Sequence, residues 1–324
     1  MQISVIIPTI GRDQALANTV KALLKQKAVE FEIIVVDQNR VMPREFGQFL
    51  NQAQENTWPV KRYRQGRPSA SAARNLGLLA AKGMVVLFLD DDVIIGDDLF
   101  LAAHLSNYRD DGVAGVAGQI LSPTGTVRQD RHAWSRNKTY GWLYFPLNYG
   151  ARCVQPGVGG SSNLSVRREV ALAVGGMDEN FRRGAFREES DFIQRCLTRG
   201  YAFVYDPAAS VVHLGEPTGG IRTWGRTRGA RGAHHTVGEW YFIFRHATTY
   251  SVLHYLVAFL RNHFGRLDRR GAKHVWRALV AAYRGAVIAR RLVIRPAKTL
   301  LTIDTRSRAQ RLYVVQDESK RAHE

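Results

Sequence analysis

Met84-Val85-Val86-Leu87-Phe88-Leu89-Asp90-Asp91-Asp92 is the stretch that decides the fold. Its apolar residues run on without alternating between polar and apolar faces, so the segment predicts a strand buried on both sides. Three carboxylates then end it. Two earlier segments share that form: Ile3-Ser4-Val5-Ile6-Ile7 ends at Pro8-Thr9, and Phe31 to Val36 ends at Asp37. Between them, residues 13–27 carry Leu16, Val20, Leu23 and Leu24 at helical spacing with Asp13 near the start, and Ser69 to Ala81 is rich in Ala and Leu. Strand and helix alternate, which predicts an α/β fold with a parallel sheet covered by helices on both faces.

Further strands are expected over 112–121, 158–166, Tyr201 to Tyr205 and Ser210 to His213. A helix is expected over 188–199, closed by Gly200 at its C′ position. From about Thr236 the chain reads as mainly helical and amphipathic. No repeat of solenoid type is visible. In an open parallel sheet, ligands bind beyond the carboxyl ends of the strands. Pro8-Thr9, Asp37 and the Asp triplet are therefore expected in one crevice.

The loop after the first strand, Pro8-Thr9-Ile10-Gly11-Arg12, is neither G-x-G-x-x-G nor a Walker A loop. A dinucleotide dehydrogenase or P-loop ATPase thus lacks its main signature, and a bound diphosphate would need a cation in place of backbone N–H groups. Asp90-Asp91-Asp92 can hold one. A side-chain period of two places Asp90 and Asp92 on one side, and hard divalent ions take oxygen ligands. Without a cation, three carboxylates behind an apolar strand would repel one another. Glu188, Glu189 and Asp191 stand at a helix start, where the macrodipole favours acids; a general base for an acceptor hydroxyl is the functional reading. His213 closes a short strand and is read either as a packed residue or as a metal ligand. Asp37 is read either as a helix N-cap or as a ligand contact, and Arg74-Asn75 could equally lie on a helix surface.

With 324 residues, 45% of them hydrophobic and 23% charged, the chain can bury a sizeable core. Residues 1–214 hold 25 Lys+Arg against 21 Asp+Glu, whereas residues 215–324 hold 21 against 7. So uneven a charge marks a partner surface, either nucleic acid or an anionic membrane face. No finger, helix-turn-helix or RNA-recognition signature favours nucleic acid. Residues 239–264 and 274–294 interleave aromatic and aliphatic residues with Arg and His, a pattern that suits a membrane interface or a packed helical appendage. Two cysteines, Cys153 and Cys196, allow no disulfide framework. There is neither a basic-then-apolar leader nor an apolar run long enough to span a bilayer. The expected location is cytoplasmic, peripheral on the inner face of the membrane.

Ser4-Val5-Ile6-Ile7-Pro8-Thr9 with Arg12, Glu32-Ile33-Ile34-Val35-Val36-Asp37, Ala73-Arg74-Asn75-Leu76-Gly77 and Val86-Leu87-Phe88-Leu89-Asp90-Asp91-Asp92 follow in order. After them come Gly160-Ser161-Ser162-Asn163-Leu164-Ser165-Val166-Arg167, Val174-Gly175-Gly176-Met177-Asp178, Glu188-Glu189-Ser190-Asp191-Phe192 with Arg195 and Gly200, then Pro207 and His213. This series resembles family 2 glycosyltransferases of the GT-A fold. The resemblance implies a Rossmann-like, mostly parallel sheet flanked by helices over residues 1–215, with a basic, mainly helical C-terminal region over 216–324.

By the same resemblance, Pro8, Thr9, Asp37 and Arg74 would contact the nucleotide of a UDP-, GDP- or dTDP-sugar, with Asp90 and Asp91 nearby. Asp90, Asp92 and His213 would hold Mn²⁺ or Mg²⁺. Glu189 matches the family's catalytic Asp, with Glu188 and Asp191 as the other candidates for the base. Gln38-Asn39 departs from the pattern after Asp37. The implied reaction is inverting transfer to a glycan or lipid-linked acceptor, in surface polysaccharide or glycolipid synthesis. A non-catalytic nucleotide-sugar-binding module and a nucleotidyltransferase making nucleotide-sugars are the alternatives; the latter's Gly-rich, Arg-containing first loop is not seen.

Overall fold

The computed structural model describes residues 1–41, 44–129, 145–154, 157, 159–181, 186–221, 233–246 and 271–302. Strands β1 (Ile3–Thr9), β2 (Phe31–Asp37), β3 (Val60–Arg64) and β4 (Val85–Leu89) lie in the order β3-β2-β1-β4, every neighbouring pair parallel. The continuous apolar runs in β1, β2 and β4 are buried throughout their centres, as expected of strands covered on both faces. Helices α1 (Asp13–Leu23), α2 (Arg44–Glu55) and α3 (Ala70–Ala80) connect them.

Beyond β4 the sheet becomes mixed. β5 (Val93–Ile94), α4 (Phe100–Ser106), β6 (Val113–Leu121), β7 (Cys153–Val154), β8 (Asn163–Arg167) and α5 (Arg168–Ala173) follow in the chain. The sheet continues β4-β8-β6-β9-β5, with β8 antiparallel to both neighbours and β9 (Ala202–His213) parallel to β6. The two strands expected over 201–205 and 210–213 are one: Gly118 pairs with Asp206 and Gln119 with Ser210, so the chain bulges there without breaking the strand. The strand expected over 158–166 begins only at Asn163. Helix α6 (Glu188–Thr198) ends as expected, with Gly200 at φ +84° and Tyr201 N–H donating to the Cys196 carbonyl.

Two apolar layers sandwich the sheet. Ile3, Val5, Ile7, Leu87 and Leu89 face α1 and α4, while Ile6, Ile34, Val86 and Phe88 face α3 and α6. The stretch beyond residue 215 returns to this body. Helices α7 (Ala233–His246) and α8 (Gly271–Val293) pack on each other, and Leu300 enters the second layer beside Met177, with its N–H donating to the Gly175 carbonyl at 2.7 Å. Residues 247–264 of the expected basic helical region lie outside the described residues. Among the described residues, no helix is long and apolar enough to cross a membrane.

Candidate active site

Parallel pairing brings the ends of β1, β2 and β4 to one edge, and β9 reaches the same edge by a separate route. The two residues of β5, directly after the Asp triplet, pair antiparallel with its end, placing His213 opposite Val93. Leu214 N–H then donates to the Asp92 carbonyl at 2.9 Å. Thr19 of α1 secures the turn from the other side, its hydroxyl donating to the carbonyls of Asp91 and Val93.

The side chains alternate through the triplet. Asp90 and Asp92 point toward His213, and ligand atoms of all three lie within 4.8 Å of one another. His213 Nε2 is 3.2 Å from Asp92 Oδ1 and 3.6 Å from Asp90 Oδ2. Asp91 turns the other way, accepting from Thr9 Oγ1 at 2.7 Å and from Arg12 Nη1 at 3.1 Å. Burial opposes ionisation of Asp92, but His213 and Arg12 outweigh it and hold the carboxyl below its usual range. Burial also opposes a charge on His213, yet Asp90 and Asp92 push its pKa up to about 9. Burial pushes Asp91 up to about 7 despite Thr9 and Arg12.

Arg74 forms the opposite wall. The N-cap Ser69 starts α3, and the helix turns Arg74 inward, where Nη2 donates to Asp90 Oδ1 at 3.0 Å and Nη1 to Glu188 Oε1 at 2.9 Å. Glu188 Oε2 is buried and accepts no hydrogen bond. Burial and the neighbouring Glu189 drive the Glu188 pKa well above the carboxylate range, against the pull of Arg74. Glu188 and Glu189 thus stand as a pair of adjacent acids in the first turn of α6.

Between these walls lies a crevice of about 310 Å³, within the size range of small-molecule sites. Pro8, Thr9, Arg74, Asp90, Glu188 and His213 are among its lining residues. Over its N-terminal half, residues 4–174, the sequence matches the model of glycosyl transferase family 2.

The chain belongs to glycosyl transferase family 2.

This family member is 25% identical over 228 residues to the uncharacterized protein y4gI of Sinorhizobium fredii, a match covering 65% of this chain and 24% of that one. It is 31% identical over 98 residues to TarP of Staphylococcus aureus, a poly(ribitol-phosphate) beta-N-acetylglucosaminyltransferase, covering 29% of each chain. Over 190 residues it is 26% identical to the O-antigen biosynthesis protein RfbC of Myxococcus xanthus, covering 56% of this chain and 15% of that one. The chain thus spans less than a third of the length of each of these relatives.

Among solved structures, the mannosyltransferase PcManGT from Pyrobaculum calidifontis, in complex with GDP-Man and Mn²⁺, matches with a TM-score of 0.57. The identity is 15%, over 90% of this chain and 87% of that one. S. aureus TarS 1–349 in complex with UDP-GlcNAc gives 0.55 at 15% identity, over 88% and 82%. These likenesses establish the fold: a mixed α/β sheet flanked by helices, shared with GT-A glycosyltransferases.

Two acids expected at the site of this family 2 chain stand elsewhere. The Asp37 carboxylate is fully buried: Oδ2 accepts from Arg62 Nε and Nη2, and Oδ1 from the backbone and side-chain nitrogens of Asn39. Its partners leave the neighbouring Gln38 to line the crevice. Asp191 is likewise buried, with Arg195 and Arg245 at 2.8 and 3.0 Å and His246 Nε2 at 2.7 Å. Burial alone would favour its neutral form, but Arg195, the contact with His246 and Arg245 hold it ionised, far below the usual range. A carboxylate with that low a proton affinity is a poor base. Glu189 is partly exposed and lies outside the crevice lining itself.

Arg12 was quoted in the sequence without a role. Its guanidinium donates to the carbonyls of Thr218 and Glu216, and Glu216 N–H donates to Asp92 Oδ2. These bonds bring Gly215, Glu216, Gly220 and Ile221 into the crevice wall. Nothing local in the sequence signals that closure, because its partners are about two hundred residues apart.

Proposed function

We propose that the protein is a divalent-metal-dependent, inverting glycosyltransferase that moves a sugar from a nucleoside-diphosphate donor to an acceptor hydroxyl. The observation that carries this reading is Asp92 Oδ1. It is a fully buried carboxylate oxygen with no well-directed hydrogen bond, 3.2 Å from His213 Nε2 and close to Asp90, both of which line the crevice. A buried acceptor left in this way normally finds a partner. Two carboxylates and an imidazole suit Mn²⁺ or Mg²⁺. When bound, such an ion supplies positive charge against the diphosphate leaving group. Asp90, Asp92 and His213 are the residues that would hold it, with Asp92 kept ionised for the purpose.

The chain's other residues divide the remaining work. Pro8, Thr9 and Gln38 line the space for the nucleotide, and Arg74 ties the metal-side Asp90 to the acid pair. Glu189, which matches the family's catalytic acid, takes the proton of the acceptor hydroxyl, beside a Glu188 that burial keeps protonated. The acceptor oxygen then bonds to the anomeric carbon on the face opposite the diphosphate, which departs with the bonding electron pair. The names of TarP and RfbC support a glycan acceptor and a role in surface polysaccharide synthesis.

Incubation with UDP-, GDP- and dTDP-sugars, with and without Mn²⁺, tests the reaction class. Metal-dependent release of nucleoside diphosphate is expected. Pyrophosphate release would indicate a nucleotidyltransferase, and binding without turnover a non-catalytic module.

Attachment to an anionic inner membrane face is the second part of the proposal. Trp276 and Tyr283 are 68% and 72% exposed on α8, and Arg284, Arg290 and Arg291 are exposed beside them. Aromatic rings and cations on one face suit a lipid headgroup layer. Sedimentation with vesicles containing phosphatidylserine, but not with neutral vesicles, is the expected result.

A further inference from the structure

Helix α7 lies beyond the stretch matched by the family model, yet it grips the first turn of α6 on both sides of the Glu188–Glu189 pair. Ahead of the pair, Gly238 of α7 packs on the backbone of Phe186. A Cβ built there would stand 2.3 Å from the Phe186 carbonyl oxygen, so only glycine permits the approach. One residue later Arg187, in the left-handed region at φ +74°, donates from Nη2 to Glu239 Oε1 at 3.1 Å. A non-glycine residue held at positive φ persists only where its surroundings fix it.

Behind the pair, both oxygens of Asp191 are occupied. Oδ1 accepts from Arg245 Nε at 3.0 Å and lies 2.7 Å from His246 Nε2, while Oδ2 accepts from Arg195 Nε at 2.8 Å. Arg195 in turn donates to the carbonyls of Val174 and Gly176, each at 2.7 Å. Asp191 is therefore the knot joining α6, α7 and the turn after α5. None of these residues lines the crevice, so they can act on the reaction only through the acids they hold.

We infer that Arg245 and His246 are positioning residues for the proposed transfer: through Asp191 they fix the first turn of α6, and with it Glu188 and Glu189, against the donor crevice. The inference rests on the transferase reading for its kinetic consequence but not for its structural one. The helix start has no side-chain N-cap bond of its own, so an external brace replaces the usual cap. A displacement of about 1 Å at a reacting group can cost about a hundredfold in rate.

The test uses the full chain with Arg245→Gln, Arg245→Lys and His246→Asn, read by amide hydrogen exchange and by transfer kinetics. Exchange over residues 186–191 is expected to quicken in Arg245→Gln and His246→Asn, while the amides of β1 and β4 keep wild-type protection. In the same variants kcat should fall about 10- to 100-fold with the donor KM within about threefold, and Arg245→Lys should recover part of the rate. Unchanged exchange at 186–191 would overturn the inference, as would a uniform loss of protection in which kcat and donor KM change together. A wild-type chain without turnover would remove the transferase reading alone, and localised exchange at 186–191 would still support the brace.

Discussion

Arg74 Nη1 donates to Glu188 Oε1 at 2.9 Å, between side chains only 4% and 5% exposed. The same guanidinium reaches Asp90 at 3.0 Å, so one buried cation joins the strand-tip acids to the acid pair on α6. Removing that cation strands the Asp90 charge and leaves Glu188 Oε1 without its donor, at about 3–5 kcal/mol. Arg74→Ala is therefore expected to lower unfolding free energy by that amount in urea titration and to reduce kcat/KM at least a hundredfold. Arg74→Lys carries the charge without the planar fork, so it should restore stability more than activity.

The two acids of the pair should behave differently. Glu189→Gln removes the proposed base and is expected to reduce kcat by about 10²–10⁴-fold, with donor affinity within about threefold of wild type. Glu188→Gln replaces a side chain already neutral by a neutral one of the same shape, and should cost less than about tenfold. Steady-state kinetics with fluorescence titration of the donor separates the two. The reverse ranking would exchange their roles.

A pH effect on stability should arise away from the site. His104 is fully buried, with Nδ1 2.9 Å from the Ser165 hydroxyl and Nε2 2.8 Å from Asn163 Oδ1. Burial pushes its pKa down to about 4 from the ordinary 6.5, despite the contact with Asn163. As pH falls through that window the unfolded chain takes up the proton and the folded chain does not. The stability contribution is therefore complete above pH 6.5 and lost as pH falls toward 4. At about 1.4 kcal/mol per unit, the loss is of the order of 3 kcal/mol. Urea denaturation at a series of pH values measures it, and His104→Gln should flatten the slope across that interval.

The parallel half of the sheet was legible because β1, β2 and β4 are unbroken apolar runs. α2 and β3 were not. Val60-Lys61-Arg62-Tyr63-Arg64 is an edge strand whose polar side chains find partners across the sheet, Lys61 on Glu32 and Arg62 on Asp37, and read alone it resembles a loop. The placement of Asp90 and Asp92 on one side followed from strand-end position and period, whereas His213 joined them only through the family resemblance. The fates of Asp37 and Asp191 were not legible, because each is decided by partners far away in the chain: Arg62 for one, Arg245 and His246 for the other. The bulge between Asp206 and Ser210 likewise hid one strand as two, since Pro207 reads as a break when its partner strand is unknown.

The most direct test of the metal-bridged donor site is calorimetric titration of UDP, GDP and dTDP into the wild-type chain and Asp92→Asn, with and without Mn²⁺. At least one nucleotide should bind the wild type about tenfold or more tighter with Mn²⁺, and that gain should vanish in Asp92→Asn. Equal affinity with and without the ion, or an undiminished gain in the variant, would contradict a cation held by Asp90, Asp92 and His213.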